Sequence, residues 1–307
     1  MKSIKEKPGP SGAGHYLFHF MNTLIEEFAV KGRLRTSQTY MAALRSFSRF
    51  RNDRDIRLDR ISSGHILQYE AYLRAAGLAW NSISFYMRIL RAVYNRAVDR
   101  NLTAQRHPFR HVYTGIDKTA KRAISLVAVR AVKNLDLSSS PALDFARDIF
   151  LFSFYTRGMS FVDMAWLRKT DIRDGVLSYR RHKTGRLLCI RWETCMQAIV
   201  DKYDTADSEY LLPIIKAKDN PRRQYENSLH FVNVKLKEVA RKAGIEVPLS
   251  TYVARHAWAS IARSKNIPLH VISEGMGHST EATTRIYLAS LEASTVDSAN
   301  MEILKDL

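Results

Sequence analysis

The stretch Met276–Ser290, "MGHSTEATTRIYLAS", decides how the rest of this chain is read. A glycine introduces His278, and Tyr287 follows nine residues later. Imidazole and phenol both serve proton transfer and covalent chemistry. Taken alone, neither residue means much, since a tyrosine is most often core or surface and a histidine after a glycine is often simply held by backbone. The weight comes from what precedes them, in order. "TYVARHAW", Thr251–Trp258, carries Arg255, with Tyr252 three residues earlier on the same helical face. The plain structural reading of Arg255 is as partner to an acid such as Glu274. "GVLSYRRHKTGRLLCIRW", Gly175–Trp192, alternates on either side of a Lys183-Thr184-Gly185-Arg186 turn and reads as a β-hairpin. Arg181 lies two residues before Lys183, and strand alternation predicts one face for both. "FYTRGMSFVDM", Phe154–Met164, adds Arg157, Gly158, Ser160 and Asp163 where one apolar segment hands over to another.

At 307 residues the chain is long enough for two domains, each with its own core. Its 48 Lys and Arg against 30 Asp and Glu give a formal net charge of +18, which favours a polyanionic partner, nucleic acid first. The bland alternative is a solvated basic surface. Cys189 and Cys195 match neither a disulfide framework nor a paired-cysteine metal knuckle, and read as reduced. The start, "MKSIKEKPGPSGAG", has no apolar signal region, and no apolar run approaches the ~18 residues of a membrane span. A soluble, non-exported protein of the cytoplasm is expected.

Residues 1–14 read as a disordered start and residues 15–108 as four helices. Tyr16, Phe20, Leu24 and Phe28 recur at helical spacing, and Tyr40, Leu44 and Phe47 do so behind a Thr36-Ser37 cap. "HILQYEAYLRAAG" ends at Gly77; a fourth stretch sets Ile83, Tyr86, Leu90, Val93 and Ala97 against Arg88, Arg91, Arg96 and Arg100. Pro108 and Gly115 break the pattern, and residues 109–121 read as a linker that lets two domains close around a rod-like ligand. Residues 122–293 mix helices with the hairpin, and residues 294–307 place Val296, Ala299, Ile303 and Leu307 on one face of a tail helix that needs a surface to dock on. The fold class is mainly α with a small antiparallel β-sheet: a helical N-terminal domain plus an α+β domain.

In this order the boxes resemble the tyrosine recombinase (phage integrase) family over most of the chain. "MGHSTEATTRIYLAS" is similar to that family's Leu-Gly-His-Ser…Thr…Tyr box, and "YVARHAWAS" to its His-x-x-Arg-His box with Tyr252 in place of the first histidine. The four-helix unit is similar to its core-binding domain. The resemblance implies the DNA breaking-rejoining fold and site-specific recombination of the integrase or invertase kind. Tyr287 would attack the phosphodiester, form a 3′-phosphotyrosine and release a 5′-hydroxyl. Arg255 and His278 would bind the attacked phosphate, and Lys183 would protonate the leaving oxygen. A phenol of pKa about 10 needs such help at neutral pH. Guanidinium groups match the charge that gathers on the phosphoryl oxygens. One phosphoester is exchanged for another at little energetic cost, so no ATP, metal or other cofactor is expected. The implied partners are double-stranded DNA with inverted-repeat core sites and further copies of the chain. The copies would form a homo-tetramer on DNA from a monomer or weak oligomer, with the tail on the adjacent protomer or folded back on its own domain. Members acting on distant arm sites carry an extra N-terminal module, for which a first helix starting near residue 15 leaves no room. Inversion, resolution or integration of a small element is expected.

Two positions depart from the family. Tyr252 offers a hydrogen bond but is a poor base at neutral pH, so its expected role is orientation. In the family's Gly-x-Arg-x-x-Glu register, Gly158 and Asp163 fit and Ser160 stands where the arginine belongs. Loss of one charge-assisted donor at a phosphoryl transition state costs about 3 kcal/mol. Arg157, across the Gly158 turn, is the favoured replacement and Arg181 its competitor. Asp163 is expected to hold a catalytic arginine or cap the neighbouring helix. Arg88, Arg91, Lys121, Arg122 and Arg181 are expected DNA contacts, although arginines on a helix are more often merely solvated. Two rivals stand beside this reading: a type IB topoisomerase-like enzyme acting alone, and a DNA-binding protein whose catalysis is impaired.

Overall fold

The structure, a computed structural model, describes residues 15–117, 123–217, 219–278 and 280–288, the side chains of residues 286–288 excepted. It divides into two compact units, Met1–Thr119 and Ala120–Leu307.

In the first unit, helices α1 (Leu17–Val30), α2 (Leu34–Phe50), α3 (Ser63–Ala75) and α4 (Trp80–Asp99) each turn an apolar face inward. Phe20, Leu24, Phe28, Tyr40, Leu44 and Phe47 are all buried, as their spacing predicts, whereas Tyr16 precedes α1 and bridges to Arg57. Phe47 meets Phe18 and Tyr69 edge-on, with ring centroids 6.3 and 4.8 Å away. The Thr36-Ser37 pair is not a cap: Ser37 N donates to Arg33 O at 3.0 Å, so both residues already lie in the first turn of α2. The real side-chain cap is Ser62, which accepts from His65 N at the start of α3.

The arginines expected on the solvent face of α4 divide into two pairs. Arg96 lies over the rings of Phe28 and Tyr40, at 4.8 and 5.7 Å, and Arg100 donates to both oxygens of Glu27 at 2.9 and 2.8 Å. These two fasten α4 to α1 and α2. Arg88 and Arg91 remain exposed. The stretch read as a linker is anchored over its first part. Phe109 and Val112 enter the core, Tyr113 N donates to Glu70 at 2.7 Å, and Ser84 Oγ donates to Gly115 O at 2.6 Å. Asn81 exchanges two hydrogen bonds with the backbone of Asp117, at 2.9 and 2.8 Å. Apolar side chains at 109 and 112 gain more from burial than a free tether would leave them. Lys121 and Arg122 lie outside the described residues, as does the tail 294–307.

The second unit is built on α5 (Leu126–Asn134), α6 (Pro141–Tyr155), α7 (Phe161–Ala165), strands β1 (Ile172–Arg173), β2 (Val176–Arg180) and β3 (Leu187–Arg191), then α8 (Thr194–Val200), α9 (Pro221–Lys242), α10 (Thr251–Ser264), α11 (Leu269–Gly275) and α12 (Glu281–Leu288). The three strands form one antiparallel sheet in chain order, with Arg180 opposite Leu187. At the centre α6 packs against α9 and α10, and its Ile149, Phe150 and Phe152 are fully buried. Asp148 on α6 is buried yet satisfied by Tyr203 Oη at 2.8 Å and Arg147 Nε at 3.2 Å, and pairs with Lys202, which fixes the segment after α8.

Candidate active site

The chain leaves α6 through a turn that holds two successive residues in the left-handed region, Arg157 (φ 61°) and Gly158 (φ 76°). Gly158 N donates to Ser153 O and Ser153 Oγ to Met159 O, both at 2.7 Å, so the turn is closed from both sides. Glycine adopts this conformation freely, while a Cβ makes it costly by about 1–2 kcal/mol. The other described non-glycine residues at positive φ are all Asn, Asp or His, which leaves Arg157 as the one long side chain among them. Gly158 is required for a second reason. A Cβ there would stand 2.7 Å from Arg255 Cα, because α10 runs directly against the turn.

Arg255, only 3% exposed, donates from Nη1 to Gly158 O at 2.7 Å and from Nη2 to Met276 O at 2.6 Å. Arg181, 8% exposed, donates to Gly277 O at 2.8 Å, and Arg186 donates to His278 O at 2.8 Å. Three arginines thus hold three consecutive carbonyls at the corner between α11 and α12. Gly277 (φ 65°) suits that corner, since a Cβ there would come within 2.8 Å of Leu188 and 3.3 Å of Arg181. Among the described residues neither Arg255 nor Arg181 pairs with a carboxylate, Glu274 included. Burial, and then the neighbouring charge of Arg181, lower the pKa of Arg255 to about 10, which leaves it charged at neutral pH. A buried charge without a counter-ion costs several kcal/mol. Arg255 Nε is also buried with no hydrogen-bond partner among the described residues. Two buried cations and a spare donor make a site for an anion with several oxygens, of which a phosphodiester is the fitting example.

Arg255 Nη2 also lies 3.0 Å from His278 Nε2, and a guanidinium only donates. Nε2 is therefore the acceptor, and the ring proton sits on Nδ1, which donates to Thr284 Oγ1 at 2.7 Å. Burial first, then Arg255, Arg181 and Lys183, push the pKa of His278 down from 6.5 to about 4. The unfolded chain takes up a proton below pH 6.5 that the folded chain refuses until about pH 4. Stability from this group is thus complete above pH 6.5 and is lost as the pH falls toward 4. Between pH 7 and 5 the loss is about 2 kcal/mol. Urea unfolding at the two pH values checks this, and His278→Gln is expected to remove that share of the difference.

Lys183 sits at the exposed tip of the β2–β3 hairpin, and its charge reaches His278. It does not share a strand face with Arg181, as alternation predicted. β2 ends at Arg180, Thr184 N and Gly185 N both donate to Arg181 O, and Arg181 turns into the protein while Lys183 stays in the turn. Arg157 is directed elsewhere: a Cβ on Gly275 would stand 3.6 Å from its Cδ and 3.2 Å from Trp258, and its Nη1 reaches Cys189 O at 3.4 Å. Among the described residues Asp163 contacts no arginine, although its charge acts on Arg255. It accepts from Ser160 Oγ at 2.6 Å and from His182 N at 2.7 Å. Tyr252, half exposed, packs edge-on to His256 at 4.8 Å; burial raises its phenol pKa against the opposing pull of Arg255 and Arg181. Tyr287 falls on α12, and its side chain lies outside those described. Sequence reasoning missed Arg186 and Thr284 as site residues. Arg186 was visible only as a turn residue and Thr284 only as part of the final box. Among the described residues no three His, Cys, Asp or Glu cluster as metal ligands would, and no helix is long and apolar enough to cross a membrane.

Comparison with known proteins places this geometry. Residues 16–112 match the phage integrase SAM-like domain, and residues 150–294 match the phage integrase family. The tyrosine recombinase XerA of Thermococcus kodakarensis is 25% identical over 276 residues, 87% of this chain and 90% of that protein. A lambda integrase dimer bound to a COC′ core site superposes with a TM-score of 0.68 at 16% identity, covering 89% of this chain and 95% of the other. A lambda integrase tetramer bound to a Holliday junction also gives 0.68 at 16% identity, over 92% of this chain and 82% of that one.

Proposed function

The chain belongs to the tyrosine recombinase (phage integrase) family and is a site-specific DNA recombinase, and we propose that it breaks and rejoins DNA through Tyr287. The phenolic oxygen bonds to phosphorus and the P–O5′ bond breaks. Lys183 gives its ammonium proton to the departing 5′ oxygen, and the phenol proton leaves to solvent water. His278 acts through Arg255, whose guanidinium it holds by accepting at Nε2, instead of through the expected hydrogen bond to the phosphate. Arg255 and Arg181 bind the non-bridging oxygens, and the Tyr252 hydroxyl orients them. Rejoining is the same sequence reversed with a new 5′-hydroxyl.

The observation that carries this reading is the pair of buried arginines that contact no carboxylate among the described residues, beside a neutral histidine. It also favours Arg181 over Arg157 as the replacement for the arginine absent at Ser160. The lambda integrase tetramer on a Holliday junction supports the further proposal that four copies of this chain act on two duplexes with inverted-repeat core sites. Arg88, Arg91, Lys121 and Arg122 are proposed backbone contacts there. A cytoplasmic, nucleoid-associated location follows from acting on that DNA.

A test needs only DNA carrying the site. Wild-type protein is expected to form an adduct that survives SDS, in EDTA as well as without it, and to exchange strands between two duplexes. Tyr287→Phe is expected to lower adduct formation by at least about a thousandfold. A wild type that binds the site but forms no adduct would return the chain to a binding role, and relaxation without exchange would favour the topoisomerase reading.

A further inference from the structure

We infer that Ser160, which stands where the family carries an arginine, is a positioning residue for the general acid. This rests on the reading of Lys183 as the donor to the 5′ oxygen. Asp163 on α7 is buried, and each of its oxygens takes one short hydrogen bond: Oδ2 from Ser160 Oγ at 2.6 Å, Oδ1 from His182 N at 2.7 Å. His182 immediately precedes Lys183, and residues 182–186 are exposed. Among the described residues two hydrogen bonds tie this tip to the body of the domain, Arg186 Nη1 to His278 O on its far side and His182 N to Asp163 on the side of Lys183, next to it in the chain.

A charge-assisted bond to a backbone N–H is stronger than a neutral one, and burial strengthens it further. It holds only if the carboxylate is rotated so that Oδ1 faces His182. The hydroxyl of Ser160 sets that rotation by occupying Oδ2, and without it one oxygen of a buried carboxylate loses its partner. Position therefore passes from Ser160 through Asp163 and His182 to Lys183. The serine touches no substrate atom in this scheme. It acts on the protonation of the leaving group and leaves phosphate binding alone.

That separation defines the experiment. The core site is first recovered from random-sequence duplexes by isolating covalent adducts of the wild-type chain. It is then synthesised with an ordinary phosphodiester or with a 5′-bridging phosphorothiolate, whose thiolate leaves without needing a proton. Single-turnover cleavage is followed for the wild type, Ser160→Ala, Ser160→Thr and Lys183→Ala. Ser160→Ala is expected to cleave the phosphodiester roughly 10- to 100-fold more slowly and the sulfur substrate at the wild-type rate, while Ser160→Thr stays near wild type on both. Lys183→Ala is expected to show the same pattern with a larger deficit. Full activity of Ser160→Ala on the phosphodiester overturns the inference. So does a deficit of Ser160→Ala that persists on sulfur while Lys183→Ala is rescued. If Lys183→Ala is not rescued, the general-acid reading fails and takes the inference with it. Rescue on sulfur also shows that the variant is folded, since a misfolded chain would cleave neither substrate.

Discussion

Arg181→Ala is expected to slow covalent adduct formation by about a thousandfold, whereas Arg157→Ala slows it by less than about tenfold. The two arginines are close in the sequence-based ranking and far apart in their surroundings. Arg181 is buried against Gly277, and its charge lowers the pKa of both Arg255 and His278. A donor so placed meets the charge gathering on the phosphoryl oxygens in a site where water does not compete. Arg157 rests by Gly275 and Cys189 O. Part of the Arg181→Ala loss comes from the bare carbonyl of Gly277, a structural effect of about 1 kcal/mol. Arg181→Lys separates the two contributions, because a lysine keeps the charge and one donor but not the planar fork. Its adduct rate should fall between those of wild type and alanine. Single-turnover cleavage of a nicked suicide substrate at saturating protein reads the chemical step without the binding step. A loss in Arg157→Ala equal to that in Arg181→Ala would restore the sequence-based preference. Arg157→Gly offers an independent check on the turn: relief of a left-handed arginine should raise stability by about 1 kcal/mol.

What the sequence made legible was what depends on neighbours in the chain. The helices α1, α4, α6, α9 and α10 are long enough for their apolar period to show. The β2–β3 hairpin announces itself through alternation around Lys183-Thr184-Gly185-Arg186. Short or β-branched elements escaped. The valine-rich α5 suits helix or strand equally, α8 has only 7 residues, and β1 has 2. The same division runs through the site. The order of the boxes and the register that puts Ser160 in the arginine's place are local patterns, and both could be read. The direction of Arg181 is set by Gly277, 96 residues away in the chain, which no strand rule contains. Arg96 and Arg100 looked like solvent-facing charges because Phe28, Tyr40 and Glu27 are brought beneath them by the packing of α1 and α2 against α4.

Gly158→Ala is expected to destabilise the second unit by about 3 kcal/mol or more, and to lose activity even in the fraction that folds. Two costs add at this position. A Cβ at φ 76° is disfavoured by about 1–2 kcal/mol. It would also stand 2.7 Å from Arg255 Cα and 2.8 Å from Arg255 Cγ, where the obstacle is helix backbone and cannot swing aside. Gly244→Ala provides the comparison. Gly244 has φ 67° and nothing within 4 Å of its missing Cβ, so it carries the conformational cost alone. The difference between the two variants in urea unfolding isolates the contact with α10, and equal destabilisation would show that the contact relaxes freely. The activity loss follows from the direction of that relaxation. To admit the methyl group, α10 must move away from the turn, and Arg255 moves with it, lengthening its bond to Gly158 O from 2.7 Å. A displacement approaching 1 Å at a phosphate-binding arginine costs about a hundredfold in rate. Gly158→Ala should therefore remain slow at low temperature, where the folded population is restored, while Gly244→Ala recovers fully. The glycine at this turn thus sets the distance between α6 and α10, and with it the place where Arg255 meets the phosphate.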